Sequence, residues 1–240
     1  MPAAPRRRAN RPDPAELTSV AQDYLKAVWS ALEWAPSEAA KVSTGRLAER
    51  LGVGPSTVSE TVQRLSEQGL LAYEPYRGVG LTELGRGYAL VMVRRHRLIE
   101  TWLVDQLGYS WDEVHDEAEE LEHAVSDLLV ERLDALLGRP VRDPHGDPIP
   151  TVDGRVLRPD AVPLADLVAG ESGVVARISD ADPGDLRYLA GLGVDLDVRV
   201  TVTAVLPRRE AVTVAWDREG AAVTAELERR AASRIWVSRA

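Results

Sequence analysis

Apolar residues recur three and four apart through roughly the first 140 positions and then switch to alternation, which predicts helices followed by strands. Val20, Tyr24, Leu25, Val28 and Leu32 predict a first helix over Leu17–Glu33. A loop with Pro36 and Ser37 follows, then a short helix over Thr44–Leu51, a turn at Gly52-Val53-Gly54 and a helix starting at Pro55. Proline suits that first position because its missing N–H would be unpaired there anyway. Val58, Val62 and Leu65 form the buried face, which turns Ser56, Thr57, Ser59, Glu60 and Gln63 outward. This is a helix-turn-helix with small polar donors on the end that enters a major groove.

Two short strands around Arg77-Gly78 read as the wing of a winged helix, and Thr82 as the N-cap of a long helix running through Glu100. Gly108 breaks that helix and Ser110 is placed to cap the next, which is followed by another over about Asp127–Leu137. The stretch Asp143-Pro-His-Gly-Asp-Pro-Ile-Pro150 is turn-rich, and His145 reads as a turn residue. Val174–Ile178, Val198–Leu206, Ala211–Trp216, Ala222–Leu227 and Ile235–Val237 predict a small five-stranded barrel. The fold expected is mainly α with a β tail. It divides into a disordered basic arm (1–15), a winged helix-turn-helix domain (16–88), a helical metal-binding and dimerisation domain (89–150), a linker (151–170) and an SH3-like β-barrel (171–240).

Charge sharpens the division. The net charge of −9 is unevenly spread. Residues 1–100 hold 14 Lys and Arg against 11 Asp and Glu, leaving 15 against 27 beyond them. A positive front half suits phosphate and an acidic remainder suits cations. Arg46, Arg50, Arg64, Arg77 and Arg94-Arg95 are spread through the front half. Zero Cys excludes disulfides and thiolate metal sites. No apolar run reaches the roughly 18 residues of a membrane span, so a cytoplasmic protein is expected.

The strongest chemical signal is His115-Asp-Glu-Ala-Glu-Glu-Leu-Glu-His123. On a helix it sets His115, Glu119, Glu122 and His123 on one stripe, a set suited to a divalent cation. Two of the chain's four histidines fall here, and His96 with Glu100 repeats the i, i+4 pattern on the preceding helix. Ala118, Leu121 and Val125 mark the inner side, so Glu122 and His123 border the interior, where carboxylates need a cation. Asp23 sits on the apolar side of the first helix. A solvated acidic face is the bland alternative.

The helix-turn-helix, His96-Arg-Leu-Ile-Glu100, Val114–His123 and Asp143–Pro150 occur in the order that resembles the diphtheria toxin repressor (DtxR/MntR) family of metal-dependent transcriptional regulators. The resemblance runs from about Ser19 to Pro150, and the tail is similar to the SH3-like (FeoA-like) domain of its long members. It implies a primary, DNA-activating metal site of Asp23, Glu119, Glu122 and His123. It also implies an ancillary site of His96, Glu100 and His115, joined by Asp182 and Asp185 from the tail, with Asp180 a near competitor. It places Pro55, Ser56, Thr57 and Glu60 near bases and Arg77 in the wing; Ser59 and Arg64 complete the expected DNA-binding set. Glu60 is suited to accept from cytosine N4.

Iron-responsive members carry Met and Cys where this chain has Asp23 and Glu119, so the harder donors favour Mn²⁺ over Fe²⁺, with other divalent metals binding in vitro. Lys26 stands where manganese-type short members have a further carboxylate, which implies a mononuclear primary site. The implied partners are palindromic operator DNA and a second copy of the chain. Two rival readings stay open: a hydrolytic metal enzyme, for which no His-Glu-x-x-His is present, and a winged-helix regulator sensing an organic ligand.

Overall fold

The computed structural model describes residues 12–35, 37, 40–218 and 220–239. Residues 1–11 of the expected basic arm, and Pro36 of the first loop, lie outside the described residues. Two compact units form: residues 1–95 with 150–155, and residues 96–149 with 156–240.

In the first unit, Asp13 caps a single 3-10 turn at Pro14–Glu16, so the end of the expected arm is ordered. Helix α1 (Ser19–Leu32) is capped by the Thr18 hydroxyl and buries Leu25 and Val28. Helix α2 (Thr44–Leu51) is capped by Ser43 and stopped by Gly52, whose φ of 62° is the left-handed conformation glycine takes without strain. Helix α3 (Pro55–Glu67) starts on Gly54 with proline in its first turn. Leu47, Val58, Val62 and Leu65 are buried, as their spacing requires. Strands β1 (Leu71–Glu74) and β2 (Gly78–Leu81) pair antiparallel from Leu71↔Leu81 to Glu74↔Gly78 and form the wing. Its turn lies at Pro75–Arg77, one residue before the expected Arg77-Gly78.

Helix α4 (Glu83–Leu107) follows, with Gly85 N–H donating to Thr82 Oγ1 as an N-cap should. Gly108 ends it at φ 73°.

In the second unit, α5 (Val114–Glu122) begins on Glu113 without a side-chain cap. The Ser110 hydroxyl donates to Glu113 Oε2 at 2.6 Å instead of capping α5 itself, because a turn over 111–113 intervenes. Helix α6 (Asp127–Leu136) is capped by Ser126. Ile99, Leu103, Val114, Ala118 and Leu133 form one apolar core of these helices.

The tail contains β3 (Val162–Pro163), β4 (Ser172–Ile178), α7 (Pro183–Leu192), β5 (Arg199–Leu206), β6 (Ala211–Arg218), β7 (Ala221–Glu228), the single-turn α8 (Arg229–Ala232) and β8 (Ile235–Arg239). The sheet has six strands in the order β3-β8-β4-β5-β6-β7, where the sequence predicts five. The extra strand is two residues long and contains proline, too short for alternation to register. Leu164 and Leu167 are buried in the sheet's core beside Val175, Ile178, Val200 and Val237. Packed residues of the tail therefore begin inside the stretch read as linker.

Candidate metal centre and nucleic-acid interface

The second unit gathers the imidazoles. Residues 96 and 100 lie one turn apart on α4, and 115, 119 and 122 follow one another on α5, so each helix presents its donors on one stripe. His96 is buried between them. Its Nδ1 lies 2.6 Å from Glu122 Oε2, and its Nε2 lies 2.9 Å from Glu100 Oε1 and 3.2 Å from His115 Nδ1. His115 Nε2 lies 3.3 Å from Glu119 Oε1, and His123 Nε2 3.7 Å from Glu122 Oε1. Glu122 and Glu100 are both buried, whereas Glu119, His115 and His123 are half-buried.

Two residues from outside the helices complete the cluster. His145, from the turn-rich loop, and Asp180, just after β4, each bring a donor atom that lies with one of Glu100 inside 4.8 Å. His115 Nδ1 is 3.7 Å from Asp180 Oδ2. Buried Asp143 holds the loop in shape by accepting from the His145 and Asp147 N–H groups, both at 2.9 Å. Arg97 donates to Pro148 O at 2.7 Å and Arg177 of β4 to Asp147 Oδ1 at 2.6 Å.

Asp182 and Asp185, expected as ligands, are placed elsewhere. Asp182 caps α7, and both carboxylates pair with Arg234, which lowers the Asp182 pKa. Of the three aspartates, Asp180 is the one whose carboxylate lies within 4.8 Å of donor atoms of Glu100 and His145. His145 does stand in a turn, as read, but its side chain is buried against acids.

The electrostatics fit a cation. Burial opposes ionisation of Glu100, but His96 and His115 outweigh it and hold its carboxyl well below the usual range. Burial is likewise outweighed at Asp180, where His145 and His115 bring the value down to about 2. Asp143 shows the reverse: burial, then the charges of Asp147 and Glu100, push it up to about 8.

His145 gives the clearest test of fit. Its Nε2 lies 2.6 Å from the Trp111 carbonyl, which can only accept, so Nε2 carries the proton. In the neutral ring Nδ1 is then the nitrogen with the lone pair, and this buried atom has no hydrogen-bond partner. An imidazole oriented by a carbonyl on one nitrogen and bare on the other is how proteins present histidine to a metal.

In the first unit Asp23 is half-buried on α1, and Lys26 is buried one turn on. The residues expected to contact DNA are exposed: Pro55, Ser56, Thr57, Ser59, Glu60 and Arg64 on α3, and Arg77 on the wing. Ser59 Oγ donates to Pro55 O at 2.9 Å. Glu74 pairs with Lys41 and with Arg77, at 3.2 Å for the latter.

A winged helix-turn-helix and a carboxylate–imidazole cluster on one chain define a metal-responsive DNA-binding regulator. Residues 16–79 match the N-terminal DNA-binding domain of iron-dependent repressors, and residues 82–151 their metal-binding and dimerisation domain. Residues 162–239 match the FeoA domain. The iron-dependent repressor IdeR of Mycobacterium tuberculosis is 35% identical over 83% of this chain and 94% of its own length. The diphtheria toxin repressor of Corynebacterium efficiens is 32% identical over 78% and 84%. A solved manganese-dependent transcriptional repressor in complex with manganese is 54% identical, with a TM-score of 0.87, over 92% of this chain and all of that one. The chain belongs to the diphtheria toxin repressor family of metal-dependent transcriptional repressors, in its long form with a C-terminal FeoA, SH3-like domain.

Proposed function

We propose that the chain is a cytoplasmic, homodimeric repressor of metal-homeostasis genes that binds a palindromic operator when loaded with Mn²⁺, Fe²⁺ being the alternative ion. It has no catalytic role. The observation that carries this is the buried cluster of oxygen and imidazole donors, with His145 Nδ1 bare, in a chain without cysteine. Such donors suit the harder ion. The manganese-dependent repressor at 54% identity favours the same choice. Among the described residues no helix is long and apolar enough to cross a membrane.

Two sites are proposed. By resemblance to the family, Asp23, Glu119, Glu122 and His123 form the DNA-activating one. Glu100, His145 and Asp180 form the ancillary one, with His115 in reach, a revision that follows the geometry above. These residues would hold a divalent cation, whose charge would neutralise the acids of each site. Without it Asp23, Glu119 and Glu122 repel one another, leaving α1 unrestrained. Holding a cation, the four residues would restrain α1, and with α1 the recognition helix α3, so that the two α3 helices of a dimer would meet successive major grooves on one DNA face. Ser56, Thr57 and Glu60 then reach base edges, while Arg64 and Arg77 contact phosphate.

The test is operator retardation by chelator-stripped protein on its own upstream region, titrated with Mn²⁺ and with Fe²⁺ under anaerobic conditions. Binding appears only with metal, and at lower Mn²⁺. A Glu119→Ala variant stays folded and no longer binds the operator when metal is added; normal binding with metal would overturn the primary-site assignment. Equal binding in chelator would return the chain to winged-helix regulators that sense something else.

A further inference from the structure

Tyr76 stands wholly exposed at the tip of the wing, and its backbone is left-handed, at φ 65°. The Arg77 N–H donates to Glu74 O at 3.0 Å, so Pro75 and Tyr76 are the two central residues of a tight turn. With proline first, the second of these positions suits glycine or asparagine, which tolerate positive φ. A tyrosine there strains the backbone, and its exposure leaves no burial to offset the strain. We infer that Tyr76 is a specificity-determining DNA contact, whose ring enters the minor groove beside each half-site and selects A·T over G·C pairs there. The inference rests on the operator-binding reading proposed above.

The wing is placed and stiffened for that role. It lies inside residues 16–79, which match the DNA-binding domain of iron-dependent repressors. Only residues 68–70 separate recognition helix α3 from β1. They are bonded to the helix end: Leu70 N–H donates to Leu65 O at 2.9 Å, and Ser66 Oγ to Leu71 O at 3.2 Å. Each wing strand has four residues, a reach of about 13 Å, which crosses one phosphate backbone from the major groove to the minor. Val42 and Val79 exchange both backbone hydrogen bonds, at 2.9 and 2.8 Å, so the base of the hairpin is pinned. A Cβ at Gly78 would lie 2.7 Å from Val42 O, so the two segments are as close as glycine allows. Glu74 is the one carboxylate between Leu71 and Leu81, and Lys41 and Arg77 both pair with it, which offsets its repulsion of phosphate.

The minor groove is about 6 Å wide and takes a side chain where it would not take a helix. At A·T pairs its floor shows only acceptors, to which a phenol O–H can donate; at G·C pairs the N2 amino group stands there instead. The selection is therefore for A·T in either orientation.

The experiment is competition for the Mn²⁺-loaded full chain among operator duplexes whose pairs beside each half-site are A·T, G·C or inosine·C. Inosine·C keeps the major-groove face of G·C and lacks the N2 amino group. The unaltered protein should bind the A·T and inosine·C duplexes about 5-fold or more tighter than the G·C one, the lower end of what one base pair costs. Tyr76→Gly relieves the left-handed backbone, so its thermal midpoint should be no lower. The variant should bind the A·T duplex about 5-fold or more weaker and treat all three alike. If its midpoint does fall, Tyr76→Asn, which also tolerates the turn, replaces it in the same competition. Equal binding of the three duplexes by the unaltered protein, or an unchanged preference in the variant, overturns the contact. If the unaltered chain with Mn²⁺ binds none of them, the operator-binding reading fails instead.

Discussion

The backbone N–H of Ile178, last residue of β4, donates to the carbonyl of His145 at 2.8 Å, so the loop that carries His145 is bonded to the sheet. The residue between the two partners' segments leaves no room for a side chain. Gly146 sits at φ 89°, and a Cβ there would lie 2.2 Å from Ala176 O and 2.8 Å from Arg177 Cα. Gly146→Ala must therefore lift the loop off the strand, carrying His145 away from Asp180. The left-handed backbone alone makes such a change cost about 1–3 kcal/mol. Denaturant unfolding will show that loss, and Mn²⁺ titration will show one equivalent fewer. Unchanged stoichiometry would mean that the loop's seat on β4 does not position His145.

On α3, arginine and glutamate at exposed positions predict different failures. Arg64→Ala removes a phosphate contact, so binding weakens on every sequence alike and the slope of log affinity against log salt falls by about 1. Glu60→Gln changes a base-edge partner and should relax preference at one base pair by about 1–3 kcal/mol. Competition with operator variants at two salt concentrations separates them. An Arg64→Ala protein with an unaltered salt slope would remove that residue from the DNA surface.

Local signals carried the helical half. Ser43, Gly52 and Pro55 are punctuation that acts within a few residues, and α2 and α3 lie where that punctuation puts them. The cluster on α5 was legible for the same reason, since i, i+3 and i, i+4 spacing alone collects Glu119 and Glu122 with His115. What stayed hidden depends on contacts distant in sequence. Nothing near His145 announces that its Nε2 will meet the Trp111 carbonyl, 34 residues away. Asp180, Asp182 and Asp185 look alike in a row, and Arg234, far along the chain, pairs with the last two. Strand β3 was missed because Val162-Pro163 is paired by β8 and not by any pattern of its own.

Donor hardness sets a further expectation. If Asp23 and Glu119 are oxygen donors of the primary site, as the family resemblance implies, Asp23→Met with Glu119→Cys softens that site. The double variant should need less Fe²⁺ than Mn²⁺ to retard operator DNA, the reverse of the unaltered chain. A variant that keeps the Mn²⁺ preference would show that selectivity is set by something other than these two side chains.

Arg142 and Asp197 form the last testable link, across 55 residues, with Nη1–Oδ1 at 2.9 Å and Nη2–Oδ2 at 2.5 Å. The pair ties the start of the loop that carries His145 to the turn before β5. Its hydrogen bonds to Arg142 hold the Asp197 carboxyl below its ordinary value, against the opposing effect of burial. A depressed native value means that the unfolded chain binds the proton first as pH falls. The pair's contribution is thus present above about pH 4, the unfolded carboxylate's range, and is lost as pH drops through the lower native value. With side chains 41% and 66% exposed, the pair is worth less than about 1 kcal/mol. Asp197 has φ 65°, a conformation asparagine also tolerates, so Asp197→Asn isolates the charge without adding strain. Unfolding midpoints of the two proteins should differ at neutral pH and converge in acid. A difference that stays constant down to strongly acid pH would assign it to the hydrogen-bond geometry and not to the ion pair.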